Sequence, residues 1–202
     1  MTLRLAVLGD SIAAGQGASR REDTLAERLL RGLADAGVDA TARVFAVSGA
    51  RSSGLRGQVD RALDWRPHVA VVVVGANDVT HRTPPEAAAR ALAETVRRVR
   101  SVAAEVVVAP APDLSAVPHV PPAMRAAVRA ASDRLRKRQI AAAAAEGARI
   151  ADGDASTSDA FHADPSLFSA DRFHPSSAGY ALIAHGLLPH VIGAARAIVD
   201  EG

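Results

Sequence analysis

Four short groups of residues have the makings of acyl-transfer chemistry. Gly9-Asp10-Ser11 closes an apolar run, Ser48-Gly49-Ala50 and Gly75-Ala76-Asn77-Asp78 follow two more, and Asp171-Arg172-Phe173-His174-Pro175 lies near the C-terminus. A serine hydroxyl is a poor nucleophile until a neighbouring base takes its proton. Histidine suits that task near neutral pH when another group holds its second ring nitrogen. Asp171, three residues before His174, can reach that nitrogen across one turn. The oxyanion formed on attack needs donors already in place, and losing one costs about 3–4 kcal/mol of barrier. The backbone N–H groups of Ser11 and Gly49 and the side-chain amide of Asn77 are the candidates. An amide donates without bringing a competing negative charge.

Taken singly, each residue has a plainer reading. Ser11 could be a helix N-cap, and Gly49 and Asn77 ordinary turn residues. Asp10 reads as a hydrogen-bonding partner beside the serine, and Asp78 as a brace for its loop. His185 and His190 fall in or beside the last helical stretch and read as structural or exposed. His81, His119 and His162 fall in loops, where they line a pocket or stay at the surface. Asp152, Asp154 and Asp159 with His162 match no metal-ligand spacing, so no metal site is expected. Phe161 and Phe168 either wall an acyl pocket or pin their loop to the core.

Strands and helices must bring these groups together. Apolar runs at 3–8, 43–47, 69–74 and 105–109, with a weaker one at 148–151, predict five strands. The run "VAVVVV" is apolar at consecutive positions, as in a strand covered on both faces. Helical patterns occupy 24–36, 55–65, 84–104, 122–146 and 176–199. Thr83 and Glu86 form a capping-box pair with Pro84 at the first helical position. Pro189 predicts a kink or break in the last helix. Strand alternating with helix means a parallel sheet between helical layers, and ligands then bind beyond the carboxyl ends of the strands. Two long loops, 110–122 and 152–175, can reach that edge. No repeat or linker divides the chain, so residues 1–202 are expected to form one domain.

Composition narrows the function. With 49% apolar residues, 3% aromatics and a net charge of +2, the chain fits a globular α/β protein rather than a nucleic-acid platform. Arg97, Arg98 and Arg100, and the run from Arg134 to Arg138, read as solvated helix faces. There are no cysteines, which excludes disulfide and thiolate chemistry. The first apolar stretch is too short and too early for a signal segment, and no stretch approaches the length of a membrane span. The expectation is a cytoplasmic protein with no nucleic-acid partner and no stable membrane association. "GDSIAAGQG" lacks the Gly-Lys-Ser/Thr of a P-loop and the spacing of a dinucleotide fingerprint, which weakens a non-catalytic nucleotide-binding reading.

Together, and in this order, Gly9-Asp10-Ser11-Ile12, Gly49, Gly75-Ala76-Asn77-Asp78 and Asp171-Arg172-Phe173-His174 resemble the blocks of the SGNH (GDSL) hydrolases. Ile12 stands where the family name has leucine. The resemblance implies a three-layer α/β/α, flavodoxin-like fold with a five-stranded parallel sheet in the order 2-1-3-4-5. It implies Ser11 as nucleophile, His174 as general base, Asp171 as its orienting carboxylate, and Ser11, Gly49 and Asn77 as the oxyanion hole. No cofactor or metal is implied. The expected substrate is a small-molecule ester or an acyl lipid, and the few aromatics of the long loops favour short acyl chains. An acyltransferase or a carbohydrate or lipid deacylase would use the same triad.

Overall fold

The valine-rich run forms β3 (Val69–Val73), buried at all five positions and central to the sheet. The computed structural model describes residues 1–102, 104–152 and 155–200. Within it, β1 (Leu3–Gly9), β2 (Ala40–Val44), β3, β4 (Glu105–Ala109) and β5 (Arg149–Ile150) form a parallel sheet in the order β2-β1-β3-β4-β5. This is the three-layer architecture and strand order that the resemblance implied. Gly9 is registered to Val73, and Val73 to Ala109, so the carboxyl ends of the three central strands lie side by side.

Successive side chains of a strand point to opposite faces, and β1 divides accordingly. Leu3, Leu5 and Val7 pack in the layer with α1 (Leu25–Asp35) and α7 (Ser177–Asp200), through Leu25, Leu29, Tyr180 and Val191 among others. Ala6 and Leu8 pack in the opposite layer with α2 (Leu55–Asp64) and α4 (Pro85–Arg100), and α5 (Pro122–Ala145) reaches it through Ala143. Two short helices, α3 (Ala76–Thr80) and α6 (Ala155–Ala163), lie between strands and the helices that follow. The arginine clusters pair with acids of neighbouring elements: Arg97 with Glu146 at 2.6 Å, Arg98 with Asp60 at 2.6 Å and Arg100 with Glu105 at 2.8 Å.

Several local expectations need correction. The second strand begins at Ala40 rather than 43, because pairing with β1 recruits small residues of weak intrinsic strand preference. Beyond its end, the Phe45 and Val47 N–H groups still donate to the Val7 and Gly9 carbonyls. The Thr83–Glu86 capping box does not form. Pro84 is the N-cap, no side chain caps the helix, and α4 ends at Arg100, short of 104. Ala103 and Asp154 lie outside the described residues. The loop before the last helix contains α6, whose serines, threonine and aspartate hide any apolar period. No break appears in α7 at Pro189. His185, whose carbonyl loses its helical donor there, is exposed, so water can take that bond. By length and apolar composition, 177–199 does reach the span of a membrane, contrary to the sequence expectation. Its inner face, including Tyr180, Ala184, Leu187 and Val191, is buried in the core layer with α1.

The turn out of β1 tolerates no side chain. Gly9 has φ +136, and an added Cβ would lie 1.8 Å from the Val73 carbonyl oxygen. Gly9→Ala is expected to cost at least about 3 kcal/mol, combining backbone strain with a clash inside the sheet. Urea denaturation measures this, and an unchanged midpoint would contradict it.

Candidate active site

The chain leaves β1 under tight backbone control. Gly9 donates its N–H to Gln58 Oε1 and accepts from Gln58 Nε2, both at 2.8 Å, from a glutamine that is 1% exposed. The Asp10 N–H donates to the Val73 carbonyl at 3.1 Å, and Asp10 Oδ1 accepts the Ile12 N–H at 3.0 Å. The Ala14 N–H goes to the Asp10 carbonyl, so Ser11 caps no helix. Ser11 is 5% exposed, and among the described residues neither its hydroxyl nor its backbone N–H has a partner.

The C-terminal segment folds back onto this turn. Tyr180, fully buried on α7, donates its hydroxyl to the Gln16 carbonyl at 2.8 Å. The Ser19 N–H donates to Ser177 Oγ at 3.1 Å, and Arg28 joins Asp23 Oδ1 to the Ser177 carbonyl at 2.8 and 2.9 Å. His174 Nδ1 lies 2.6 Å from Asp171 Oδ2, with the imidazole side chain 13% exposed and the carboxylate 44%. Asp171 Oδ1 accepts from Ser169 Oγ at 2.8 Å and from the backbone N–H groups of Phe173 and His174 at 2.9 Å. Burial works against the charge, but these hydrogen bonds outweigh it and hold the Asp171 carboxyl well below the usual range. Arg172, between the two residues, adopts φ 57, the left-handed turn that aims both N–H groups at the carboxylate. His174 Nε2 is left without a partner among the described residues. It does not bond Ser11 Oγ here; such contacts commonly tighten only around substrate.

The other two groups come from the loop after β2 and from Gly75 with the start of α3, not the loop that the sequence suggested. The Gly49 N–H has no acceptor among the described residues. Asn77 Nδ2 gives one hydrogen to the Ala50 carbonyl at 3.1 Å, leaving its second for a ligand. Asp78 braces the two segments, accepting the Ser52 N–H at 2.9 Å and its hydroxyl at 2.7 Å, all buried. Ser48 Oγ donates to Gln16 Oε1 and so ties the Gly49 loop to the Ser11 turn.

Asp-x-x-His spacing also relates Asp78 to His81 and Asp159 to His162. Neither forms a pair. His81 Nδ1 lies on the Asn77 carbonyl at 2.9 Å, and His162 bonds Asp113 at 3.0 Å from α6. His119 Nε2 donates to the Asp171 carbonyl at 2.8 Å, a tie that no sequence signal suggested. His185 is exposed and His190 half-buried, as expected. Beside the site is an apolar cavity of about 150 Å³ whose walls include Ile12, Phe173 and Pro175, the chain neighbours of Ser11 and His174. Phe161 and Phe168 line it and meet edge to face at 5.1 Å, and Phe168 packs against the buried cluster of Ala76, Leu114 and Val117.

A model of the GDSL-like lipase/acylhydrolase family matches residues 7–182. The chain belongs to this family. It is 38% identical over 186 residues, 90% of its length, to the GDSL-like esterase Rv1075c of Mycobacterium tuberculosis (strain ATCC 25618 / H37Rv), and spans 59% of that relative. Among solved structures, this GDSL-family chain is similar to TesA, with TM-score 0.75, 23% identity and coverage of 93% of this chain and 97% of the other. It is also similar to a mutant of Axe2, an acetyl-xylooligosaccharide esterase from Geobacillus Stearmophilus, with TM-score 0.76, 16% identity and coverage of 95% and 94%. A third is the psychrotrophic esterase EstA from Pseudoalteromonas sp., inhibited by monoethylphosphonate, with TM-score 0.73, 17% identity and coverage of 93% and 96%. At these identities the structures establish the shared fold.

Asp10 differs electrostatically from Asp171. Burial pushes its carboxyl up to about 6, against backbone hydrogen bonds from Ile12 and Gly75, with the Asp78 charge adding and His174 opposing. A carboxyl raised from 3.8 binds protons more tightly when folded, so folding loses stability as pH rises from about 4 to 6. In Asp10→Asn that loss is absent. Its stability relative to the parent should improve by roughly 2 kcal/mol between pH 4 and 7, whatever its constant offset. Denaturation at several pH values measures the difference, and a pH-independent value would contradict it.

Proposed function

We propose that the protein hydrolyses carboxylic esters through an acyl-enzyme on Ser11. The observation that carries this reading is the Asp171–His174 pair on a segment that returns to the turn bearing Ser11, with His174 Nε2 and the Ser11 hydroxyl and N–H all without a partner among the described residues. Ser11 Oγ attacks the ester carbonyl carbon while His174 Nε2 takes the hydroxyl proton. Asp171, held ionised, keeps the imidazole oriented and stabilises its charged form. The carbonyl oxygen becomes an oxyanion facing the N–H groups of Ser11 and Gly49 and the free amide hydrogen of Asn77. On collapse, the alcohol leaves with the proton from His174. Water then attacks the acyl-serine, gives a proton to His174, and the acid departs as Ser11 recovers its hydrogen.

The cavity beside the site is the acyl seat in this reading. Its walls include Ile12, Val73, Leu114, Val117, Phe161 and Phe168, and its volume is about 150 Å³. An apolar cavity of that size holds a ring of about six carbons; this one is apolar except at Asp113, Arg136, Thr157 and Ser158, so short chains fit and long ones must run out into solvent. Esters are also what the names of the esterase relatives describe, an acetylated sugar in the case of Axe2.

Three measurements test this. Ser11→Ala should lower kcat on p-nitrophenyl butyrate by on the order of 10⁴-fold or more, and Asn77→Ala by about 10²- to 10³-fold, both remaining folded. A phosphonate ester should modify wild type at Ser11, read by mass spectrometry. An alanine variant as fast as wild type would overturn the reading. Across esters from acetyl to palmitoyl, kcat/KM should peak at about four to six carbons, the length that fills the cavity. A maximum at palmitoyl would overturn the short-chain assignment.

A further inference from the structure

α5 buries two polar side chains, Ser132 and Gln139, on the same face as Leu135 and Ala143. Seven residues make two helical turns, so both look the same way. Gln139 is 0% exposed and commits both ends of its amide to backbone: Oε1 accepts the Ala111 N–H at 2.8 Å, and Nε2 donates to the Val74 carbonyl at 3.2 Å. Ser132 Oγ accepts the Leu114 N–H at 3.3 Å.

The three backbone groups belong to two functional segments. Val74 immediately precedes Gly75, the turn that delivers Asn77. Ala111 and Leu114 sit in the segment after β4, whose Pro110, Pro112, Leu114 and Val117 wall the cavity. Nothing at their junction is slack. An added Cβ at Gly75, where φ is +140, would lie 2.6 Å from Ala111 Cβ and 3.2 Å from Gln139 Nε2.

We propose that Gln139, assisted by Ser132, is a specificity-positioning residue that sets the cavity wall against the Asn77 donor. This rests on the ester-hydrolase reading. An acyl chain in the cavity is located by the wall, while its carbonyl oxygen is located by Asn77. Gln139 is a rigid link between the two, and a mis-set link displaces the carbonyl of every chain that fills the cavity. Small displacements of reacting atoms are costly. An acetyl group does not reach the wall and is placed by the oxyanion donors, so the penalty grows with chain length.

Gln139→Met keeps the length of the side chain and removes both hydrogen bonds; Ser132→Ala is the milder variant should the first not fold. Gln139→Met should reduce kcat/KM on p-nitrophenyl hexanoate about ten-fold more than on the acetate, the scale of discrimination a hydrophobic pocket achieves per methylene. Ser132→Ala should shift the ratio in the same direction by less. A uniform loss along the series, as general destabilisation gives, or an unchanged profile in folded protein overturns the proposal. Hexanoate binding and amide hydrogen exchange at Ala111 and Leu114, both followed by NMR on the same proteins, need no turnover. Weaker hexanoate binding with faster exchange in the variants supports the link even if wild type cleaves no ester, a result that would fail the hydrolase reading alone. Unchanged hexanoate binding overturns the link.

Discussion

The pairing of β1 with β3 is the constraint on which the site depends. Gly9 lies opposite Val73, and the Asp10 N–H takes the Val73 carbonyl just as the chain turns away. Neighbouring strands are about 4.8 Å apart. A serine two residues beyond one strand and an asparagine four beyond the next are therefore brought to one edge of the sheet, as the proposed oxyanion site requires. A register slip of one residue would turn every side chain of β1 to the wrong layer. The two apolar layers, one centred on Leu5 and Val7 and the other on Ala6 and Leu8, exclude that slip. Core packing thus fixes the edge on which the candidate site is built.

At the strand ends the ladder runs out, and buried polar side chains pair with backbone groups there. Gln58 serves Gly9, Gln139 serves Val74 and Ala111, and Asp78 serves Ser52. Each such bond adds only about 1 kcal/mol net, but a buried group left unpaired costs more than that. The arrangement therefore tolerates little rearrangement, which is what preorganised oxyanion donors require.

The carboxylates of Asp171 and Asp10 are separated by environment. Asp171, half-exposed and accepting bonds from Ser169, Phe173 and His174, stays ionised and faces the imidazole. Asp10, buried beside the serine, is pushed toward its neutral form and is occupied with backbone N–H groups. Identical functional groups divide into an electrostatic partner and a structural one because one keeps water and donors while the other loses water.

The amino-acid sequence by itself determined the alternation of strands and helices, the both-faces burial of β3, and the four chemical groups, three after strands and one before the last helix. These follow from short-range rules: apolar period, turn residues and spacing along one chain. Tertiary structure decided the rest. Asp-x-x-His occurs three times; block order and family resemblance point to Asp171–His174, and contact geometry shows that this spacing is paired while Asp78–His81 and Asp159–His162 are not. The start of β2 and the presence of α6 depend on pairing and packing that outweigh weak local preference. Gln58 and Gln139 look like ordinary helix residues in the sequence. Their importance comes from backbone groups 49 and 28 to 65 residues away, and no local pattern encodes a partner at that distance.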